Sequence, residues 1–391
     1  MILCALFLRE FCSPKYISSH PPKGYNILHA SILFKHGLRA PIDKIPGHEA
    51  IWNCTGDNWL FPGGHALNED VMFLHQFKIN PIPKQSFLKG NCRAGELIDE
   101  GIRQIKEISL QISKNYPSLL PESFSKRHFN FRSTYTNRCL ASIQILMHYL
   151  YPGSDPIDVF VSNEELETLI PNPYICPELS TVMQSIIADN TTFGKTLADF
   201  SAKLQQHMAT KNITAIPHWM RLGELLSTHH CAELGLPGGF EDDILDESLK
   251  ILSDFYDRII KDVNGRKYAI GLLLSDLYLG MRDHISGVSD SKINIFCGHS
   301  LSIMSLLNFF NVSSGFPSFG SYISFELLSK LDQHFVRLTY NGEQLSIMSF
   351  EDFQYMVLSN RPKERECKIQ YPYIEKDKKN PGTKFLQMSF S

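Results

Sequence analysis

Three short segments combine histidine with arginine or lysine in patterns that suit chemistry on a phosphoryl group. They are 35–41, with Lys35, His36 and Arg39; 132–138, with Arg132 and Arg138; and 298–300, with His299 and Ser300. Arginine offers a planar fork of donors, and a helix start offers fixed N–H groups, so both can hold phosphate oxygens. A neutral imidazole can attack phosphorus and form a phosphohistidine, which divides one difficult hydrolysis into two easier steps.

Each of these segments directly follows a predicted strand. Apolar, β-branched runs at 25–35, 129–133 and 292–298 predict buried strands. In an open α/β sheet, ligands bind beyond the carboxyl ends of the strands. Taken singly, a histidine at a strand end is usually an ordinary buried or surface residue, and an arginine there usually caps a helix. The combination of all three segments favours one shared pocket.

The surrounding pattern predicts an α/β fold. Isoleucines at 98, 102, 105, 108 and 112 repeat at helical spacing up to Asn115, and further helices are predicted at 137–150, 265–285 and 301–310. Strand patterns recur at 156–162, 322–328, 335–340 and 343–348, the last two joined by Asn341-Gly342, a strong hairpin signal. Residues 41–93 are predicted to form a long irregular excursion.

Strands alternating with helices, then a helical block, then strands again indicate a mixed central sheet flanked by helices, with an inserted and mostly helical second lobe. We predict a discontinuous α/β core at 20–162 and 263–370 and a helical lobe at 163–262 that covers the pocket. The remaining segments are the N-terminal 1–19 and the tail 371–391.

Composition excludes several classes of protein. The 391 residues carry 38 Lys and Arg against 41 Asp and Glu, a formal net charge of −3, and no basic block. A balanced charge gives no electrostatic reason to expect nucleic acid as a partner. No stretch approaches the roughly 18 apolar residues of a spanning helix, so no transmembrane segment is predicted in this chain.

The cysteines and the N-terminal residues do not determine the cellular compartment of the protein. Nine cysteines form no Cys-x-x-Cys pair and show no zinc-ligand spacing, so they suit either disulfides or scattered buried thiols. Four Asn-x-Ser/Thr sequons are no more than about chance expectation and decide nothing; they begin at Asn53, Asn190, Asn212 and Asn311. The apolar run 2–8, followed at once by Arg9, is at best a clipped secretory signal.

Residues 35–41 resemble the Arg-His-Gly-x-Arg-x-Pro signature of the histidine acid phosphatases. The segment FRSTYTNRCLASIQ at 131–144 is similar to the Arg-Ser-Thr-Asp-x-x-Arg-Thr segment of that family, and CGHS at 297–300 stands where the family has a late His-Asp pair. The resemblance covers about residues 20–350 in the right order, and within the family it is strongest to the 2-phosphoxylose phosphatase, or acid phosphatase-like, branch.

The resemblance implies that His36 is the nucleophile and that Arg39, Arg132 and His299 bind phosphate. Lys35 stands where the family has its first arginine, which keeps the charge but loses the planar fork. Tyr135 replaces the aspartate of the second segment. Ser300 replaces the aspartate that protonates the leaving oxygen, and loss of a general acid typically costs ~10²–10⁴ in rate. Asp43 or a hydroxyl of the substrate is a candidate replacement.

Two other functions compete with a phosphomonoesterase. A pseudophosphatase would bind phosphorylated ligands but have lost turnover, which Ser300 and Lys35 motivate. A serine hydrolase is suggested by the local likeness of 298–302 to the Gly-x-Ser-x-Gly elbow, with the last glycine replaced. That alternative needs an acid and then a histidine downstream, and only Asp332 and His334 offer this order. Failure of Ser300 to label with a fluorophosphonate would eliminate it.

The resemblance carries further expectations. It favours a glycoprotein of the secretory pathway, in the Golgi lumen, secreted or lysosomal, and on that interpretation we pair Cys54 with Cys92, Cys176 with Cys231 and Cys12 with Cys367. The histidine route requires no metal and no organic cofactor. The expected partner is a phosphorylated small molecule or glycan, such as a phosphorylated sugar of a glycoconjugate. The sequence leaves the oligomeric state open.

Overall fold

The apolar run that was predicted to be a strand lies at the centre of the molecule. The computed structural model describes residues 11–48, 50–54, 87–153, 157–312 and 315–368. Strand β1 (Asn26–Lys35) is buried from His29 onward, with neighbours on both sides. A run without polar alternation is what a strand needs when both of its faces are covered.

β1 belongs to a seven-stranded mixed sheet with the order β5-β4-β6-β1-β7-β8-β9. The other strands of this sheet are β4 (Phe129–Thr134), β5 (Val159–Ser162), β6 (Ile293–Gly298), β7 (Tyr322–Lys330), β8 (Gln333–Tyr340) and β9 (Glu343–Ser349), and a two-stranded sheet pairs β2 (Ile51–Trp52) with β3 (Lys89–Gly90). The first four strands in the order run parallel, and β7, β8 and β9 add an antiparallel half. The fold is therefore mixed α/β, as predicted.

Helices cover both faces of the sheet. In the described ranges they are α1 (Asp99–Asn115), α2 (Asn137–Leu150), α3 (Pro177–Ala188), α4 (Phe193–Lys211), α5 (Trp219–Cys231), α6 (Asp242–Lys261), α7 (Val263–Ile285), α8 (Ser300–Phe309) and α9 (Phe350–Ser359). On one face, Ile105 and Ile108 of α1 and Ile143 of α2 pack with Ile32 and Phe34 of β1. The predicted isoleucine stripe is thus the face of α1 that is buried against the sheet.

The opposite face of the sheet shares its core with the helical insertion. One continuous apolar cluster joins Leu33 of β1 and Phe296 of β6 to Leu226 of α5 and Phe255 of α6. The helices from 177 to 261 therefore pack directly against the layer formed by the sheet and its flanking helices. The division into a core and a lobe at 163 and 262 stays a prediction. Of the predicted N-terminal segment only 11–19 is described, and the tail 371–391 lies outside the described residues.

The turn that follows β1 is held by unusually close backbone packing. A Cβ at Gly37 would lie 2.3 Å from the carbonyl oxygen of Gly101, and one at Gly101 would lie 2.0 Å from the carbonyl oxygen of Leu38. The backbone N–H of Leu38 donates to Oε1 of Gln104 over 2.8 Å. Two glycines are needed here because any side chain would push α1 away from the turn that begins at His36. Most of the predicted excursion, 55–86, lies outside the described residues.

Three disulfides correct two of the three predicted cysteine pairs. Cys54–Cys92 is confirmed. The other two bonds join Cys12 to Cys231 and Cys176 to Cys367, so the predicted partners of Cys12 and Cys176 were exchanged. Spacing could not decide between them, because all four residues are far apart in sequence and come together only when α5 and the C-terminal residues pack against the core. Cys139 and Cys297 are free and buried.

We expect loss of the Cys12–Cys231 bond to destabilise the protein more than loss of Cys54–Cys92. The bonds span 219 and 38 residues, and loop-closure entropy then predicts losses of about 5 and about 4 kcal/mol in the free energy of unfolding. Urea unfolding of the two double Cys→Ser variants measures the order. Free thiols at positions 12 and 231 in non-reducing peptide maps would show that this pairing is wrong.

Over the described ranges, no helix combines the length and the apolar character that a bilayer crossing requires.

Candidate active site

The three segments singled out from the sequence meet at one edge of the sheet. Lys35, at the end of β1, is in register with Gly298, at the end of β6, and Ser133 of β4 is in register with Cys297. These strands are parallel neighbours, so the residues that follow them share one edge. The ring centroids of His36 and His299 are 5.3 Å apart. The expected convergence of the three segments is therefore observed.

His36 is completely buried and held in one orientation. Its Nδ1 lies 2.8 Å from the carbonyl oxygen of Gly37, so Nδ1 carries the proton and donates it to that oxygen. The other ring nitrogen, Nε2, then carries no proton and has an electron pair in the ring plane. Nε of Arg138 donates to this nitrogen over 3.1 Å. The ring is in the tautomer that a nucleophilic imidazole needs, and Arg138 has to turn from Nε2 to a phosphoryl oxygen before the ring can attack.

The electrostatic environment keeps the His36 ring neutral. Burial lowers the pKa of His36 well below its ordinary value, and the charges of Arg138, His299, Arg39 and Lys35 lower it further. A neutral ring retains its nucleophilic electron pair in acid as well as at neutral pH. The same charges would attract a phosphate dianion to the side of the ring where Nε2 lies.

Arg39 is buried and forms an ion pair with the helical insertion. Its Nη2 lies 2.9 Å from Oε1 of Glu224 on α5, and its Nη1 donates to the carbonyl oxygen of Ala40 over 3.0 Å. The Glu224 side chain is 30% exposed, whereas that of Arg39 is 2% exposed. A carboxylate is therefore the group that Arg39 holds when no phosphate is bound.

His299 begins helix α8 and faces His36. Its backbone N–H donates to Oγ of Ser302 over 3.2 Å, and its side chain accepts from the backbone N–H of Ser302, which makes a reciprocal cap. Nε2 of His299 lies 3.0 Å from Oγ1 of Thr134. Because the other ring nitrogen accepts, Nε2 carries a proton and can act as a donor. Burial is the main reason that the pKa of His299 falls to about 3.

Ser300 lies next to His299 but turns into the protein. The residue is 4% exposed, and no group in the described ranges hydrogen-bonds its Oγ. As a serine hydrolase nucleophile it would need Asp332 and His334, and these lie beside the β7–β8 turn. β7 runs antiparallel to β1, and Ser329, close to that turn, is in register with Asn26 at the start of β1. The two partners therefore lie at the opposite edge of the sheet, and the relay cannot form.

Lys35 is fully buried beneath aromatic rings. Its Nζ donates to the carbonyl oxygen of Pro317 over 3.0 Å and lies 3.8 Å from the ring centroid of Phe319. Burial lowers the pKa of Lys35 to about 7, opposed by the negative charge of Glu224 and reinforced by Arg39. An arginine at this position would stay charged at every physiological pH, whereas Lys35 loses its charge above neutrality. Its role as a phosphate ligand stays a prediction.

We expect anion binding at this site to weaken as the pH rises above about 7. Lys35 is protonated below its pKa and neutral above it, so affinity for an anion falls by up to about tenfold per pH unit beyond that point. His36, His299 and Glu224 all have a pKa below that range. Inorganic sulfate is the right probe, because it remains a dianion from pH 5 to pH 8.5 while phosphate does not.

The measurement is the sulfate inhibition constant, or its binding constant by calorimetry, across that pH range. Lys35→Met serves as the control: its affinity should be lower than that of the wild-type protein at pH 5 and should change little with pH. A wild-type affinity that stays constant from pH 6 to pH 8.5 would show that Lys35 does not contribute to anion binding.

Arg132 is bonded to buried carboxylates. Its Nη1 is paired with Asp276 of α7, and its Nη2 lies 3.3 Å from Oε1 of Glu167 and also bonds Thr168. Side-chain exposure is 7% for Arg132, 3% for Glu167 and 1% for Asp276. The direct contacts of Arg132 are therefore structural, and its role as a phosphate ligand stays a prediction.

Two residues contact the site groups without having been assigned a role from the sequence. Arg138, which was named with the second segment, contacts the reacting nitrogen of His36 and occupies the second arginine of the family segment. Glu224 has no comparable signal, because it lies on an amphipathic helix 188 residues after His36. Asp43, the predicted replacement acid, is instead paired with Arg221 over 2.9 Å.

Comparison with protein families agrees with this geometry. The family profile of the histidine phosphatase superfamily (branch 2) matches residues 26–341. Counting factor 60 of Dictyostelium discoideum is 24% identical over 365 residues, covering 87% of this chain and 86% of the relative. The 2-phosphoxylose phosphatase 1 of Xenopus tropicalis is 23% identical over 379 residues, covering 88% and 74%. The human lysophosphatidic acid phosphatase type 6 is 22% identical over 343 residues, covering 80% and 77%.

Solved structures share the fold at low sequence identity. The phytase of Hafnia alvei in its apo form superposes with a TM-score of 0.56 and 13% identity, covering 88% of this chain and 98% of the phytase. The same phytase in complex with myo-inositol hexakis sulphate gives a TM-score of 0.57 over the same coverage. At this identity the likeness establishes the architecture alone.

Proposed function

The chain belongs to branch 2 of the histidine phosphatase superfamily, and on this premise we propose that it hydrolyses phosphate monoesters through a phosphohistidine at His36. Relatives named as acid phosphatases and as a lysophosphatidic acid phosphatase support the reaction class. The observation that carries the proposal is the orientation of the His36 ring. Nδ1 is anchored on Gly37 and Nε2 is neutral, unprotonated and next to Arg138.

In the proposed reaction, Nε2 of His36 attacks phosphorus as the bond to the leaving oxygen breaks. Arg39, Arg138 and Nε2–H of His299 would hold the phosphoryl oxygens, since Arg138 contacts the reacting nitrogen, the His299 ring lies beside the His36 ring and Arg39 acts on that ring electrostatically. Lys35 would add positive charge, and Arg132 would take part by exchanging one of its buried carboxylates for a phosphoryl oxygen. Water then attacks the phosphohistidine and releases inorganic phosphate. Apart from the ester and water, every group in this sequence comes from the chain itself.

The test is hydrolysis of two esters by the purified protein from pH 4 to pH 8. p-Nitrophenyl phosphate has a good leaving group, and glycerol 2-phosphate has a poor one. Release of phosphate from either ester, abolished by tungstate as an anionic competitor, is the expected result. No release from either ester at any pH would contradict the proposed function.

A pseudophosphatase is the second candidate, and one observation favours it. The residue after His299 is Ser300, whose buried hydroxyl cannot supply a proton to a leaving group in acid or neutral solution. On that alternative the pocket would bind phosphorylated ligands without turnover. Sulfate or phosphate binding in the micromolar to millimolar range without hydrolysis of either ester would support it.

A phosphorylated sugar of a glycoconjugate remains the proposed substrate, resting on the likeness to 2-phosphoxylose phosphatase 1. The names of the relatives indicate chemically different esters, a phosphorylated sugar and a lysophosphatidic acid. Membership of the family therefore does not determine the leaving group. A panel of sugar phosphates and a lysophosphatidic acid, compared by kcat/KM, distinguishes the two kinds of substrate.

We further infer that the protein matures in the secretory pathway. Three disulfides, two of them closing loops of 219 and 191 residues, support this, because such bonds persist in oxidising compartments. Deglycosylation that shifts the mass of the protein purified from its natural source would support the glycoprotein prediction. Free thiols at all six cysteines of these three disulfides would contradict maturation in the secretory pathway.

A further inference from the structure

Cleavage of an alkyl phosphate requires a proton donor, and the three segments identified in the sequence do not supply one. The leaving alkoxide is too basic to depart unprotonated, and general acids provide that proton in enzymes. Ser300 occupies the place of the family's aspartate and is buried with a hydroxyl in place of a carboxyl group. Asp43 forms its ion pair with Arg221 and not with Arg39. A carboxyl group in direct contact with Arg39 is better placed to supply the proton.

Glu224 is a carboxyl group in direct contact with Arg39. Its Oε1 lies 2.9 Å from Nη2 of Arg39, and part of its side chain remains exposed. Arg39, Lys35 and Arg138 act electrostatically on its carboxyl, and these three cations also act on the His36 ring. Glu224 and His36 therefore border the same cationic pocket, one from the helical insertion and one from the sheet.

Helix α5 is held against the core by apolar packing and a disulfide, and this fixes the position of Glu224. Leu222, Leu225 and Leu226 are buried in the apolar cluster around Glu224, and a Cβ at Gly223 would lie 3.0 Å from Leu249 of α6. The last residue of α5, Cys231, is tied to Cys12 by a disulfide. A fixed helix that presents one carboxylate to the pocket is suited to proton transfer, because the acid must stay within hydrogen-bond reach of the leaving oxygen.

We propose that Glu224 is the general acid of the phosphatase reaction, replacing the aspartate that is absent at position 300. This rests on the proposed function. As the bond from Nε2 of His36 to phosphorus forms and the bond from phosphorus to the leaving oxygen breaks, the proton of the Glu224 carboxyl moves to that oxygen and the alcohol departs. The Glu224 carboxylate then takes a proton from water, whose oxygen attacks phosphorus and breaks the nitrogen–phosphorus bond. Phosphate leaves as the monoanion with the proton of the Glu224 carboxyl, so both residues return to their states in the free protein.

Substrate binding favours the protonated form of the Glu224 carboxyl group. In the free protein, burial raises the pKa of Glu224, but Arg39, Lys35 and Arg138 outweigh it and lower the pKa to about 2. A bound phosphate dianion takes over these cations as partners and places negative charge beside the carboxylate. Both changes raise the pKa of Glu224, so a proton carried by the substrate monoanion can transfer to it.

The test compares leaving groups in Glu224→Gln, a neutral variant of almost the same shape. We expect kcat/KM, which reports the steps up to departure of the alcohol, to fall by about 10²-fold or more for glycerol 2-phosphate and to change only a few-fold for p-nitrophenyl phosphate, which needs little protonation. Glu224→Asp should restore part of the alkyl activity and shift its pH profile. Glu178→Gln, which removes an exposed carboxylate at the start of α3, is the control and should leave both activities unchanged.

Three outcomes would overturn the proposal. An unchanged kcat/KM on the alkyl ester in Glu224→Gln would show that another group donates the proton. Equal losses of kcat/KM on both esters would show that Glu224 only positions Arg39. Higher activity with a lower KM on both esters would show that the carboxylate merely blocks the anion site. Inactivity of the wild-type protein on both esters would instead be a failure of the proposed function. Thermal unfolding confirms that each variant is folded.

Discussion

Replacement of His36 by alanine is expected to remove phosphatase turnover almost completely. Loss of a covalent nucleophile has cost about 10⁶ in kcat in a well-measured hydrolase, and we expect a loss of at least ~10⁴-fold here. The physical reason is that the neutral, anchored imidazole is the nucleophile in the pocket that contacts Arg138 and neighbours Arg39. The measurement is steady-state hydrolysis of p-nitrophenyl phosphate at pH 5, with purified enzyme.

The control is His148→Ala, which removes an exposed histidine of α2 and should have no effect. A second measurement detects the intermediate: a rapid alkaline quench after mixing with ³²P-labelled ester should leave label on His36, because a phosphorylated imidazole survives base and is lost in acid. Residual activity of His36→Ala within tenfold of the wild-type protein would contradict the phosphohistidine mechanism.

Replacement of Arg132 by methionine is expected to destabilise the fold strongly. The substitution leaves Asp276 and Glu167 almost completely buried without their cation. Removing one partner of a buried ion pair typically costs about 3–5 kcal/mol in the free energy of unfolding. Urea unfolding at pH 7.5 measures the loss, and Arg127→Met is the matched control. Arg127 forms an exposed pair with Asp290, so its loss should cost less than about 1 kcal/mol.

The loss in Arg132→Met should shrink as the pH falls. Burial already raises the pKa values of Asp276 and Glu167, and Arg132 opposes that rise. Without Arg132 both pKa values rise further, so the folded variant binds more protons than its unfolded chain does, and lowering the pH favours the folded state. A difference from the wild-type protein that stays constant between pH 8 and pH 5 would show that the two carboxyl groups do not govern the loss.

These two predictions test two residues that the family resemblance places in the same site, His36 as the nucleophile and Arg132 as a phosphate ligand. His36 and Arg132 both belong to the segments from which the pocket was predicted. In the structure His36 turns toward the pocket, whereas Arg132 ties β4 to α7 through Asp276 and to the segment before α3 through Glu167. Activity lost in Arg132→Met at full folding would indicate direct phosphate binding, while activity lost in proportion to unfolding would indicate a structural role.

The sequence alone determined the sheet, the helices on one of its faces and the place of the pocket. A continuous apolar run specifies a strand buried on both faces, and isoleucines at helical spacing specify the face of α1 that packs on it. Asn341-Gly342 specified a hairpin for a local reason: both residues adopt positive φ, of 50° and 88°. Each of these patterns depends on residues close together in the sequence, so it can be recognised from the sequence alone.

Only the tertiary structure decided which side chains meet. The exchanged disulfide partners of Cys12 and Cys176, the pairing of Arg132 with Asp276 and the placement of Lys35 over Phe319 all join residues that are distant in sequence. The ion pair between Glu224 and Arg39 belongs to the same class. Spacing gives a residue's element and face but does not give the packing of that element against another, and this packing determines which carboxylate reaches which cation.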